Sequence, residues 1–142
     1  MRLTEQSRYA LRVLAYCAEH HPRLAKVAEI SHDTGITEQN IFKLIKTLAK
    51  TGFLKTVRGP HGGVRLAIAP SAIAVGQVIR AVEPRFQACG PLDRMLSDAP
   101  VSPVERALDR AIGQGIAAFI EALDQTSIAS LVTRAPPTNV AA

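Results

Sequence analysis

Cysteine is scarce in this chain: there are two in 142 residues, Cys17 and Cys89. They stand far apart, so they offer neither a disulfide framework nor a complete zinc site, and a reducing compartment fits. Long apolar runs are missing as well. No stretch approaches the roughly 18 residues that a bilayer-spanning helix needs, and the N-terminal MRLTEQSRYALR lacks the apolar core of a secretory signal. A cytoplasmic location without a membrane partner is therefore expected. No internal repeat is visible. The four histidines and two cysteines do not assemble a nucleophile, a base and an orienting group, which leaves an enzyme without support. Carboxylates are short in one half only: residues 1–65 hold 11 Lys/Arg against 5 Asp/Glu, and the remainder 6 against 7. Such asymmetry suggests a polyanion at one end of the molecule, the alternative being a solvated basic face.

What the basic half contains is a short amphipathic helix, Thr37 to Gly52 (TEQNIFKLIKTLAKTG). Ile41, Leu44, Ile45 and Leu48 recur at i, i+3, i+4 and i+7 and make one apolar stripe facing a core. Gln39, Asn40, Lys43, Lys46, Thr47 and Lys50 fall largely outside it, a surface of cations and amides with no carboxylate after Glu38. Thr37 is a good N-cap, Glu38 suits the positive helix end, and Gly52 suits a left-handed C-terminal position.

Three features precede and follow that helix. Thr4 caps a helix to about His20 with a stripe of Ala10, Val13, Leu14, Cys17 and Ala18, which makes Cys17 a buried apolar thiol. His20-His21-Pro22 breaks the pattern, and two adjacent histidines without a second cluster do not make a metal site. Lys26 to Thr34 reads as a second short helix with Val27 and Ile30 inward, ended by Gly35. Helix, glycine turn, helix is a helix-turn-helix pattern. Then FLKTVR (53–58) and VRLAI (64–68) are β-type runs, with Val64, Leu66 and Ile68 alternating and Gly59-Pro60-His61-Gly62-Gly63 as the turn. After a basic helix, such a hairpin reads as a wing with Arg58 and Arg65 flanking its tip; an ordinary hairpin is the alternative. His61 at the tip is a possible phosphate donor or simply an exposed residue.

Residues Val75 to Glu83 form a short helix with Val78, Ile79 and Val82 on one side, ended by Pro84, and a loop runs from Arg85 to Val101. Ser102-Pro103-Val104-Glu105 is a helix start with a cap, a proline at the first position and the acid of a capping box. The helix that follows carries Val104, Leu108, Ala111, Ile112, Gly115, Phe119, Ala122 and Leu123 at spacings of three and four. Its length exceeds what a small domain needs, and Gly113 and Gly115 suit close approach of a second helix, so a homodimer is expected. Ile128, Leu131 and Val132 suggest one more docking turn, and RAPPTNVAA from Arg134 a mobile tail. The expected fold is mainly α with a small β-hairpin: a winged helix-turn-helix domain (1–83), an effector-type loop (84–102), a dimerisation helix with a docking turn (103–133) and the tail (134–142).

These segments together resemble the IscR/NsrR family of bacterial winged-helix repressors, also called the Rrf-two family. The resemblance runs to about Leu131 through MRLTxxSxYALRxLxYxA, GIT with the helix after it, LAKTGFLKTVRGPHGGVRLA, VIRAVEP and AAFIEALDQTSIASL, with VRGxxGGxRLA the most specific part. It implies a homodimer on a palindromic operator, with helices in successive major grooves and wings in flanking minor grooves. Carried over by position, the helix contacts fall on Thr37, Glu38, Gln39, Asn40 and Lys43, and the wing contacts on Arg58, Gly59, His61, Gly62 and Arg65; Lys46 joins them through the basic face. Many members hold an iron-sulfur cluster on three cysteines in the loop before the long helix. Here Cys89 matches the first position, and no cysteine follows it. Ala99 and Glu105 stand near the others, and Arg8 near the fourth-ligand region, so a family-type cluster and a metal site are not expected. The effector is then a small molecule, oxidation of Cys89 as a sensor, or nothing at all. The expected function is a DNA-binding repressor; the alternatives are a dimeric winged-helix protein-interaction module and a cluster- or thiol-based redox or nitric oxide sensing repressor.

Overall fold

A computed structural model of the chain describes residues 3–87 and 102–134. Cys89, Ala99, the greater part of the 84–102 segment and the tail beyond Arg134 lie outside the described residues. The expected helix starts are present. Thr4 Oγ1 accepts from Ser7 N (3.4 Å) ahead of α1 (Glu5–Glu19), which buries Ala10, Val13, Leu14, Tyr16 and Cys17. Against it pack α2 (Val27–Thr34) and α3 (Glu38–Lys50). A two-stranded antiparallel hairpin follows, β1 (Leu54–Val57) with β2 (Gly63–Leu66), in a register running from Leu54↔Leu66 to Val57↔Gly63. Strand β2 has a second neighbour: Ala25, just before α2, exchanges both backbone hydrogen bonds with Val64 at 2.8 Å. The hairpin is thereby tied to the front of the helix pair as well as to its end.

Beyond the hairpin come a 3-10 turn (Pro70–Ala72), α4 (Val75–Val82), α5 (Pro84–Gln87), α6 (Pro103–Asp124) and α7 (Ile128–Arg134). The main core joins Leu14, Ile30, Ile36, Ile41, Leu48, Ile73, Val78 and Ile128, so α7 contributes to the same interior as the helix-turn-helix. Each such side chain contributes about 1.5–3 kcal/mol relative to leaving it in water. A smaller cluster of Val75, Ile79 and Ile120 fastens α6 to α4. The two helices approach closely at Gly76, where an added Cβ would stand 2.7 Å from the Ile120 carbonyl oxygen and 2.2 Å from Asp124 Oδ1. Arg80 pairs with Asp124 across the same seam.

Three expectations need correction. The second β run stops at Leu66: the Ala67 N–H makes a last bond to Phe53 O (2.9 Å), the chain then turns towards Pro70, and Ile68 is exposed instead of continuing the buried alternation. The expected loop after Pro84 begins with one further helical turn, since Pro84 needs no N–H at a first helical position and Phe86 N bonds Glu83 O at 3.1 Å. The apolar stripe of α6 also serves two purposes. Phe119 and Leu123 pack on the small cluster of their own chain, whereas Val104, Leu108 and Ile112 are exposed.

Candidate nucleic-acid interface

The turn between α2 and α3 forms because Gly35 takes a left-handed conformation (φ 69°) that a side chain resists, and its N–H closes on Ser31 O at 2.9 Å. Ile36 then inserts into the core, and Thr37 Oγ1 accepts from Asn40 N (3.4 Å) to start α3. Ile41, Leu44, Ile45 and Leu48 are all buried, which fixes the helix in rotation. The opposite face presents Glu38, Gln39, Phe42, Lys43, Lys46 and Lys50 to solvent, with Thr37 exposed at the cap and Asn40 half-buried at the margin.

The hairpin extends directly from this helix, with Phe53 N bonded to Leu48 O at 2.9 Å. Its tip requires two glycines. Gly59 has φ 109°, and a Cβ on Gly62 would lie 2.1 Å from the Val57 carbonyl oxygen. Gly62 N closes the turn on Gly59 O at 2.9 Å. Turn geometry therefore accounts for both residues whatever the tip touches. Arg58, Gly59 and His61 are exposed, while Gly62 and Arg65 are half-buried. Arg65 does not flank the tip as expected: it lies mid-strand, directly paired with Lys55. Two cations opposite each other in an antiparallel ladder repel one another. A polyanion laid along the hairpin relieves that repulsion.

Several cations elsewhere in the chain are paired with acids. Arg8 faces Glu5, Arg23 binds Glu29 (3.1 Å) and Arg80 binds Asp124. Among the described residues, Lys43, Lys46, Lys50, Lys55, Arg58 and Arg65 take part in no ion pair. Glu38 is the one carboxylate on the exposed face of α3, so these cations make a net positive field that phosphates would neutralise. Reading the sequence missed Lys55 and Phe42 as members of this surface. Lys55 joins it only through the strand register that sets it opposite Arg65; Phe42 was legible from its place on the polar side of the helical stripe.

Several titratable groups away from this surface are held in structural contacts. His20 stacks on Tyr16 with ring centroids 4.2 Å apart, and its Nδ1 lies 2.8 Å from the Tyr16 carbonyl oxygen. Tyr16 OH donates to Asp33 Oδ2 (2.9 Å); burial and this bond raise the phenol's pKa, and bonds from His32 and Tyr16 lower that of Asp33. Cys17 is 1% exposed, and burial pushes its thiol up to about 12. No described group of three or more His, Cys, Asp or Glu side chains has metal-holding geometry. The donor chemistry of a three-thiolate cluster does not fit this chain: of its two cysteines, one sits protonated in the core. Glu105 is engaged in its cap, accepting from Ser102 N at 2.9 Å while Glu105 N bonds Ser102 Oγ at 3.1 Å. No helix among the described residues is long and apolar enough to cross a membrane.

Comparison with known proteins agrees with this geometry. The family model Rrf2, described as iron-dependent transcriptional regulator, matches residues 3–134. Protein aau3 of Rhizobium meliloti is 34% identical over 139 residues, covering 98% of this chain and 90% of that protein. The HTH-type transcriptional regulator NsrR of Bacillus subtilis is 31% identical over 133 residues, 93% of this chain and 90% of the relative. The solved structure of CymR, the global cysteine regulator of B. subtilis, superposes with a TM-score of 0.71 at 26% identity, over 96% of this chain and 99% of that one.

Proposed function

Because the chain belongs to the Rrf2 family of transcriptional regulators, we propose that it is a homodimeric repressor that grips a palindromic operator with two copies of α3 and its hairpin. The observation that carries the docking is the set of cations on α3 and the hairpin, exposed or half-exposed and without acidic partners. In this reading α3 enters a major groove with Gln39, Asn40 and Lys43 towards base edges and Thr37 and Glu38 at the cap. Lys46 lies on the backbone. The hairpin reaches the adjacent minor groove with Arg58 and His61 at its tip, Gly59 and Gly62 letting the backbone come close, and Arg65 with Lys55 on phosphates.

The dimer is built on α6. Its 22 residues make a rod of about 33 Å. Val104, Leu108 and Ile112, four apart, leave a seam that the chain's own core does not cover. Among the described residues a Cβ at Gly113 or Gly115 would meet nothing within 4 Å, so packing against them does not require either glycine. We assign the protein no catalytic step, a cytoplasmic location and no family-type iron-sulfur cluster, since Cys17 is withdrawn into the core. Cys89 is then the thiol left for redox sensing.

The reading is tested by sequencing genomic fragments that copurify with the protein and footprinting the enriched ones. Two protected half-sites related by a dyad are expected. Copurification of proteins, with no enriched DNA, favours an interaction module instead.

A further inference from the structure

Phe42 is 58% exposed, on a helix whose other large apolar side chains are at most 8% exposed. Nothing in the fold requires an aromatic ring there. Among the described residues the other exposed large hydrophobics are Val104, Leu108 and Ile112 on α6, and Val57 and Ile68 in and after the hairpin. Those on α6 form a continuous seam; Phe42 has no apolar neighbour on its own helix face. Four-residue spacing places it in one column with Glu38, Lys46 and Lys50, and Gln39 and Lys43 stand alongside. The ring is therefore a single apolar contact set in a cationic and amide surface.

That chemistry selects its partner. An apolar protein patch seated on Phe42 would desolvate Lys43 and Lys46 without compensating them. The major groove of DNA offers the complement, because the thymine 5-methyl group is an apolar projection bordered by phosphates. Phe42 is also the fifth residue of α3, in the half of a recognition helix that reaches base edges. Resting on the function proposed above, we infer that Phe42 is a specificity-determining residue that packs on a thymine methyl in each half-site, while Lys46 holds the backbone.

The test uses the full-length protein and duplexes selected by it from a random-sequence pool. Each thymine of the selected sequence is replaced in turn by deoxyuridine, which keeps the pairing edge and removes only the methyl group. Wild-type protein is expected to lose about fourfold in affinity per half-site at one symmetric position, the effect of withdrawing one buried methyl group. Phe42→Ala should bind more weakly to the thymine duplex and lose the distinction between thymine and uracil, with its salt dependence unchanged. Phe42→Leu should restore part of the distinction. Wild-type protein that binds all uracil-substituted duplexes as tightly as the parent overturns the inference and leaves the DNA-binding reading intact, and so does Phe42→Ala with undiminished methyl sensitivity. A pool from which wild-type protein retains no duplex overturns that reading and this inference together.

Discussion

Lys55 and Arg65 are direct partners across the hairpin, two positive side chains in one antiparallel register. Their juxtaposition works against the isolated fold and in favour of a negatively charged ligand. Lys55→Ala is therefore expected to raise the melting temperature slightly and to weaken DNA binding at the same time. Thermal denaturation and fluorescence anisotropy on the same preparation check the opposite signs. A variant that loses stability without losing affinity contradicts the role given to the pair.

Glu83 is 2% exposed and accepts hydrogen bonds from Thr4 N (3.1 Å), Thr4 Oγ1 (2.9 Å) and Ser7 Oγ (2.6 Å), closing the end of α4 onto the start of α1. Glu83→Ala removes the common acceptor and leaves buried donors without it. A loss of about 2–3 kcal/mol in urea denaturation is expected. A loss under half of that would show that the α1 cap holds without the carboxylate.

The difference between Glu83 and the cap residues shows which parts of the fold a sequence discloses. Thr4, Thr37 and Ser102 announce their helices because the hydroxyl and the N–H it satisfies lie three residues apart. Gly35 and Gly52 mark helix ends for a similarly local reason, with φ of 69° and 85°. The sequence shows Glu83 only as the last residue of a helix, because its partners are 76 and 79 residues away. The Ala25–Val64 bridge was hidden for the same reason, and so was the division of the α6 stripe between Val75 and Ile79 on one side and an uncovered seam on the other. At the candidate interface, charge and helical period were enough to select the exposed face of α3. Strand register, which moved Arg65 from the tip to a position opposite Lys55, required the paired backbone.

Burial accounts for the silence of Cys17. Its thiol pKa moves from 9.0 to about 12, so below pH 9 it is protonated in folded and unfolded chains alike and its contribution to stability is fully present. Between pH 9 and 12 the unfolded chain alone releases that proton, and stability falls as pH rises. In a Cys89→Ser variant, a thiol reagent at neutral pH should label no cysteine until denaturant is added. Rapid labelling of the native variant would show that Cys17 is accessible and make it a second sensor candidate beside Cys89.

Leu108 and Ile112 lie on the uncovered part of α6, 56% and 52% exposed in the single chain. Leu108→Asp combined with Ile112→Asp should separate the proposed dimer without unfolding the winged core, whose buried residues lie elsewhere. Sedimentation velocity is expected to show the monomer mass, with helix content little changed by circular dichroism. A double variant that sediments with wild-type mass puts the dimer seam on another surface.

The salt dependence of DNA binding tests the central claim most directly. If Lys46, Lys55, Arg58 and Arg65 of both proposed subunits meet phosphates, the logarithm of affinity should fall against the logarithm of salt concentration with a slope on the order of −7. The Lys46→Ala, Arg58→Ala variant should then bring the slope to about −4 without unfolding the protein. An affinity indifferent to salt, or a slope the double variant leaves unchanged, contradicts docking through this surface.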